Sequence, residues 1–537
     1  YPKIYVPGFD QYNQEILDDS SGLYEFAPEI VIFALGMQGI FPEINGYYYD
    51  MSEKEIMKLI NARLEGIAGL VKKLDKKISP LVLFHNFIQP DFPLLGINDA
   101  QAEMGQAEVM HAINKSITDM LKPVSSAHMV DIEGLYSFVG KKNARDIKMW
   151  YIGKFDIGEA VLPHLTCEYM RFIKAFKGKN RKCLVLDLDN TLWGGIIGEE
   201  GIANIKLGTE DPVGRAFVDF QIYIKAHTRK GIMLAVCSKN NEEDAFEVFE
   251  KHEGMVLKKD DIACFKINWK DKSANIREIA SELNIGLDSL VFVDDNPAER
   301  ELVRQQLGEV AVIDLPVDPA LYVQALRMTS DLEVLNISKE DAARTKMYKQ
   351  QAERKEHMAN FENLDEYYSS LEMQVSIKAV NDTIFPRVSQ LVNKTNQFNL
   401  TTKRYTEGEL KSFLKKKGNA VYALELKDKF GENGLTGVIM LEEKDSAWLI
   451  DNFLLSCRII GRKVETALIA YVLKQAKKNG VKEIIGKYIP TAKNALTKEV
   501  YKLHGFEMTS EEKGSTEWKA VTGKVKVEFP SFIRVIT

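Results

Sequence analysis

The stretch CLVLDLDNTLWGG (183–195) constrains this chain more than any other. A short apolar run, closed by two aspartates two residues apart and a Trp-Gly-Gly turn, reads as a strand buried on both faces. Strands of that kind belong to open parallel sheets, where ligands bind beyond the carboxyl ends. Asp187 and Asp189 are thus delivered to a functional edge. The runs IMLAVCS, DIACFKI, SLVFVDD and VAVIDL repeat the pattern between 181 and about 330, alternating with helical stretches, as in a doubly wound α/β sheet. They bring Ser238, Lys272 (in NWKDKSANI) and Asp294-Asp295 to the same kind of place. Gathered carboxylates repel one another unless a cation sits among them, and hard oxygen ligands suit Mg²⁺. With a hydroxyl and a lysine added, the set describes a phosphoryl-transfer site.

The rest of the chain supports a soluble enzyme of several domains. At roughly 100–200 residues per domain, 537 residues imply about three. Hydrophobic residues at 45% and charged residues at 28% fit a globular chain. The 71 lysines and arginines face 77 acids, so the basic excess that a dedicated nucleic-acid binder needs is missing. No apolar run reaches the ~20 residues of a membrane helix, and no signal-peptide pattern opens the chain. Five cysteines, odd in number and far apart, fit free thiols in a reducing cytoplasm. Tyr1 is not a start methionine, as expected of a chain excised from something longer.

Upstream, PEIVIFALG (28–36) and SPLVLFHNF (79–87) read as buried strands, and 52–74 as an amphipathic helix capped by Ser52. Between about 337 and 372 the chain turns charged and helical, which suits a solvated linker helix. The last ~165 residues mix strands (AVYALEL, LTGVIMLE, AWLIDNFLL) with one amphipathic helix, GRKVETALIAYVLKQAKK, as an α+β unit.

The four motifs at Asp187/Asp189, Ser238, Lys272 and Asp294/Asp295 resemble those of the haloacid-dehalogenase (HAD) superfamily of aspartyl phosphotransferases. That likeness implies Asp187 as nucleophile and Asp189 as acid and, through its backbone, metal ligand. Ser238 and Lys272 would hold phosphoryl oxygens, and Asp294 with Asp295 would complete a Mg²⁺ site. The gaps after Thr191 and Ser238 leave no room for a large separate cap, which in this superfamily points to a large or protein-borne substrate or a lid from a neighbouring domain.

LDLDNTLWGGIIGEEG, LAVCSKNNEEDA, INWKDKSANI, FVDDNPAERE, NKTNQFNLTTKRY, FLLSCRIIGR and PTAKNALTKEVYKLHGF together resemble the FkbH-like family of polyketide biosynthesis. The resemblance implies an enzyme that takes 1,3-bisphosphoglycerate, removes phosphate, and passes the glyceryl group through a cysteine thioester to the phosphopantetheine thiol of an acyl carrier protein. The alternative is a Mg²⁺-dependent phosphatase of a small phosphorylated metabolite. Cys457, where a strand ends and Arg458 and Arg462 flank a helix start, is one candidate for the thiol. Cys237, beside Ser238, is another, although strand alternation can turn it into the core; a buried cysteine with neither role is the third reading.

The expected domains are an SGNH-hydrolase-like α/β domain (1–178), the HAD-like domain (179–332), a helical linker (333–374) and a GNAT-like acyltransferase domain (375–537). In the last, Arg458, Gly461 and Arg462 stand where such folds bind a pyrophosphate. With Lys463 at the final position of that loop, a carrier-bound phosphopantetheine phosphate is the easier ligand. Lys403, Arg404, Lys411, Lys415, Lys416 and Lys417 form a basic stretch able to meet an acidic carrier protein, and His504 reads as structural. In the first domain the Gly-Asp-Ser turn of an SGNH hydrolase is missing. Asn86 and His164 echo an oxyanion residue and a base, but Asp156 lies eight residues before His164 instead of three, so a lid or docking role is expected there.

Overall fold

The computed structural model describes residues 2–44, 48–155, 157–337 and 344–536. Contacts divide the chain into two units, one of 1–170 with 405–413 and one of 171–404 with 414–537.

The first unit is built on a three-stranded parallel sheet, β1 (Ile30–Phe33), β2 (Leu81–His85) and β3 (Ala127–Val130), in that order. Every residue of β2 is buried, which is why its first four are apolar; His85, the last, is satisfied by Tyr169 Oη at 2.7 Å. The helix Glu53–Lys77 begins in a capping box: the Glu55 amide donates to Ser52 Oγ and the Ser52 amide to Glu55 Oε2. Its Ile56, Ile60, Leu64, Ile67 and Leu74 pack on the sheet core. Asn86 is buried. It donates to Asp131 Oδ1 at 2.7 Å and accepts from the Glu133 amide. The His164 ring stands edge-on to Phe138, and Asp156 lies outside the described residues.

The second unit holds two sheets. The first is parallel with strand order β6-β5-β4-β7-β8, made by β4 (Cys183–Leu186), β5 (Met233–Ser238), β6 (Ile262–Ile267), β7 (Leu290–Asp294) and β8 (Ala311–Asp314). The chain leaves β4 to one side for β5 and β6, then returns to its other side for β7 and β8. The carboxyl end of β4 is therefore a topological switch point, where a crevice opens between loops that diverge. The second sheet is mixed and runs β15-β16-β14-β13-β12-β11-β9-β17. Its members are β9 (Met373–Ala379), β11 (Ala420–Asp428), β12 (Gly431–Lys444), β13 (Ala447–Leu455), β14 (Glu483–Tyr488), β15 (Glu507–Glu512), β16 (Ser515–Val521) and β17 (Ile533–Ile536), and the short β10 (Phe398–Asn399) pairs with β13. β13 and β14 are parallel, joined by the helix Val464–Lys478, whose apolar face fills the core. No helix among the described residues is long and apolar enough to cross a membrane.

The expectation of a solvated linker helix is corrected. The helix Arg344–Met358 buries Met347, Tyr348 and Arg354. Arg354 makes a bidentate pair with Asp428, at 2.8 and 2.7 Å, and Arg462 Nη1 reaches the same carboxylate at 2.9 Å. The Phe430 and Gly431 amides also donate to it. Polar composition misled here because the charges that look solvated in sequence are partners in a buried cluster. Asp428→Asn leaves two buried guanidiniums with no counter-charge. It should lower stability by about 3–5 kcal/mol, read as a fall in the urea midpoint together with faster proteolysis within 344–358.

Candidate active site

Asp187 extends β4 by one residue, its amide donating to the Val293 carbonyl at 3.0 Å. Beyond it the backbone turns sharply at Asn190 (φ +53°) and Gly195 (φ +93°). Gly195 is needed here, since a Cβ would fall 2.4 Å from the Glu200 carboxylate. The turn brings Asp189 back under three donors. Its Oδ1 accepts from Trp193 Nε1 (2.8 Å) and the Ile197 amide (3.1 Å), and its Oδ2 from Asn240 Nδ2 (2.8 Å). Burial, ahead of repulsion from Asp187, raises the Asp189 pKa above the ordinary carboxylate value, which favours the protonated form of an acid.

Ser238 closes β5 and is buried. Lys272 begins the helix Lys272–Glu282, whose first amides are capped by Asp271. Its ammonium stands 3.0 Å from Asp187 Oδ2 and 2.5 Å from Asp294 Oδ2. Carboxylate oxygens of Asp187, Asp294 and Asp295 lie within 4.8 Å of one another. The sequence-predicted residues Asp187, Asp189, Ser238, Lys272, Asp294 and Asp295 thus converge on one edge. Burial and then Asp187 push Asp294 up to about 6, and the same two causes raise Asp295. More negative charge is gathered than one ammonium balances. Asp187 Oδ1 is buried and has no hydrogen-bond partner among the described residues. An oxygen in that position, with two neighbouring carboxylates, fits a hard divalent cation. Asp189 offers no side-chain oxygen to this group, since both of its oxygens are held by donors; a metal contact from it would use the backbone.

Three residues went unnoticed in the sequence. Asn240 and Trp193 orient Asp189, and Arg300 donates to the Asp294 and Asp295 carbonyls at 2.7 and 2.6 Å. Asn240 stands two residues past Ser238, so only the way the chain curls after β5 turns it toward Asp189.

Two expectations are corrected. The Cys237 thiol faces away from Ser238 into the core, donating to the Lys272 carbonyl at 3.7 Å. Burial pushes its pKa up, which disfavours the thiolate that an acyl acceptor needs. Arg458, Gly461 and Arg462 do not present an open phosphate loop. Arg462 is committed to Asp428, Gln351 and the Arg458 carbonyl; Arg458 lies against Met347 Sδ; and the Gly461 carbonyl accepts from Tyr368 Oη. The helix Arg344–Met358 covers the place a phosphate would take.

Cys457 is half-buried at the turn after β13, its Sγ 3.8 Å from Tyr348 Oη and its carbonyl accepting from Asn284 Nδ2 at 3.1 Å. In the basic stretch, Lys403 and Lys416 pair with Asp451 and Glu442, each at 2.5 Å. His504 bridges Thr466 and the Val500 carbonyl, a structural role.

The family model described as "FkbH, N-terminal domain" matches residues 3–174. A solved structure from Bacteroides fragilis, the N-terminal part of the protein BF1531 containing a phosphatase domain complexed with Mg, is 31% identical. The match covers 62% of this chain and 87% of that one with a TM-score of 0.57. Spermidine N-acetyltransferase from Vibrio cholerae, in complex with CoA and spermine, matches 28% of this chain and 97% of its own at 12% identity and TM-score 0.23. IAA acetyltransferase from Bacillus cereus matches 27% and 99% at 15% identity and TM-score 0.21. No curated protein matches.

Iodoacetamide applied to the folded protein should modify Cys457 and leave Cys237 roughly tenfold or more slower. Peptide mass mapping against the urea-unfolded chain checks the ratio.

Proposed function

From a chain that belongs to the FkbH-like family and is an enzyme of the HAD type, we propose a Mg²⁺-dependent glyceryl transferase acting on 1,3-bisphosphoglycerate. It removes phosphate and delivers the glyceryl group, through a thioester on Cys457, to the phosphopantetheine thiol of an acyl carrier protein. The observation that carries the phosphoryl half is the cluster of Asp187, Asp294 and Asp295 around the Lys272 ammonium.

In that half, an Asp187 oxygen attacks phosphorus and the P–O bond to the glyceryl oxygen breaks. The departing oxygen takes the proton that the raised pKa of Asp189 keeps available. Water then attacks the aspartyl phosphate, giving up its proton to Asp189 and freeing Asp187. Lys272 and Ser238 hold the phosphoryl oxygens. Asp187, Asp294 and Asp295 would hold the Mg²⁺, which supplies charge stabilisation to the transferring group. The Mg in the Bacteroides fragilis structure supports that assignment.

An acyl phosphate is already activated, so the other half needs only a thiolate. Cys457 sulfur attacks the carbonyl carbon, the C–S bond forms, and the C–O bond breaks as phosphate leaves with its electron pair. The carrier's thiolate next attacks the thioester carbonyl, and Cys457 departs as thiolate. Cys457 is favoured because, of the two half-buried thiols, it is the one on a turn beside a cleft; Cys167 lies within the helix Leu162–Phe176, and Cys183, Cys237 and Cys264 are core.

Intact-protein mass spectrometry with Mg²⁺ and 1,3-bisphosphoglycerate tests the whole. A glyceryl-sized gain on the enzyme that moves to the carrier arm is expected, and Cys457→Ala should abolish the gain. Phosphate release without an adduct on either protein would leave a plain phosphatase. Asp187→Asn should cut phosphate release by about 10⁴-fold or more, and EDTA should abolish it. Asn240→Ala, which frees one oxygen of Asp189, should cost roughly 10–100-fold with substrate affinity little changed.

A further inference from the structure

Cys457 opens on a cleft of about 1040 Å³ that shares no residue with the Asp187 centre. The two sites lie at opposite edges of the parallel sheet. The cleft is lined from Arg181 and Lys182, which precede β4, from 284–289, which precede β7, and from Glu309, which precedes β8. Asp187, Ser238 and Asp294 stand at the carboxyl ends of the same strands. From Lys182 to Asp187 is five residues, roughly 16 Å at about 3.3 Å per residue. A phosphorylated molecule held at Cys457 therefore receives nothing from Lys272 or from a metal at the aspartates.

The cleft supplies its own charge. Besides Arg458, which packs against Met347, nine lysines and arginines line it against three acidic residues, Asp288, Glu309 and Asp331. Two of those acids are matched locally, by Lys493 and by Lys174 at 2.7 Å, and the lining as a whole, richer in cations than in acids, is a concave wall that focuses its field. Neutral or cationic ligands gain nothing there; a phosphate dianion does. The Asn284–Cys457 hydrogen bond fixes the thiol-bearing turn to this wall.

We propose that this cleft is a second, metal-independent phosphate-binding site, which holds a phosphorylated organic ligand against Cys457. The part given to the thiol rests on the function proposed above; the anion site rests on the cleft. The shared chemistry is a phosphate on a short polar chain, found both in a small acyl phosphate and in the phosphopantetheine arm of a carrier protein.

The rate of Cys457 alkylation by iodoacetamide in the full chain, with EDTA present, tests it. 3-Phosphoglycerate and phosphopantetheine are the phosphorylated probes, and pantetheine is the neutral control. At least one phosphorylated probe should slow alkylation severalfold, while pantetheine at the same concentration does not, and whichever protects names the source. Lys177→Glu with Lys179→Glu, both exposed positions on the cleft wall, should remove the protection. Absence of slowing by both phosphorylated probes, equal slowing by pantetheine, or protection that survives the charge reversal overturns the site. Protection without a glyceryl adduct on Cys457 keeps the site and removes the thioester; an adduct without protection does the reverse.

Discussion

The active edge depends on one buried ammonium. Burial alone would push the Lys272 pKa down, but Asp187 and Asp294 outweigh it and hold the lysine charged. Without that cation, the carboxylates collected at the end of β4 and β7 would repel one another in a setting that screens charge poorly. Lys272 can reach both because β5, β4 and β7 are neighbours and the helix that carries it starts just past β6. Sheet order therefore comes before chemistry: another strand order would keep the carboxyl ends on one edge but set Asp187, Lys272 and Asp294 too far apart to meet. The ammonium still leaves the cluster short of positive charge, with three carboxylates gathered around it and Asp187 Oδ1 buried without a hydrogen-bond partner among the described residues, and this shortage is the physical argument for a divalent cation.

A second buried charge shapes the other half of the unit. Asp428 gathers Arg354, Arg462 and two backbone amides, so the helix Arg344–Met358 is fastened across the turn 456–463. Breaking such a cluster costs far more than its formation contributes, because each partner left behind is a desolvated charge. The same fastening brings Tyr348 to the Cys457 thiol. It also takes Arg462, which sequence reasoning assigned to a ligand phosphate, and sets Arg458 against Met347, so the anion site proposed beside the thiol draws on the cleft's other cations.

Much of this was legible in the sequence, for a physical reason. Parallel central strands must be apolar on both faces, so β4, β5 and β7 announce themselves as runs, and the polar residues that end them are few enough to stand out. Asp187, Asp189, Ser238, Lys272, Asp294 and Asp295 were found that way. Asn240, Trp193 and Arg300 were not, because a positioning residue is defined by where a loop curls, and no periodicity encodes that. Cys237 shows the limit of proximity in sequence: next to Ser238 along the strand, it faces the opposite side of the sheet. The helix Arg344–Met358 fails the other way. Its composition is that of a solvated segment, and only the position of Asp428, some seventy residues on, makes Arg354 a core residue.

The separation of Cys457 from Asp187 bears on the order of events. The Cys457 cleft and the Asp187 centre belong to one unit, yet they open at opposite ends of strands only four to six residues long. On the function proposed, a glyceryl group held as a thioester on Cys457 would be tied to the amino-end cleft, with a packed sheet between it and the aspartates. On that same reading, phosphate-monoester cleavage at Asp187 would act on a species that is not attached to Cys457, either before the thiol is loaded or after the acyl group has left it on a mobile arm.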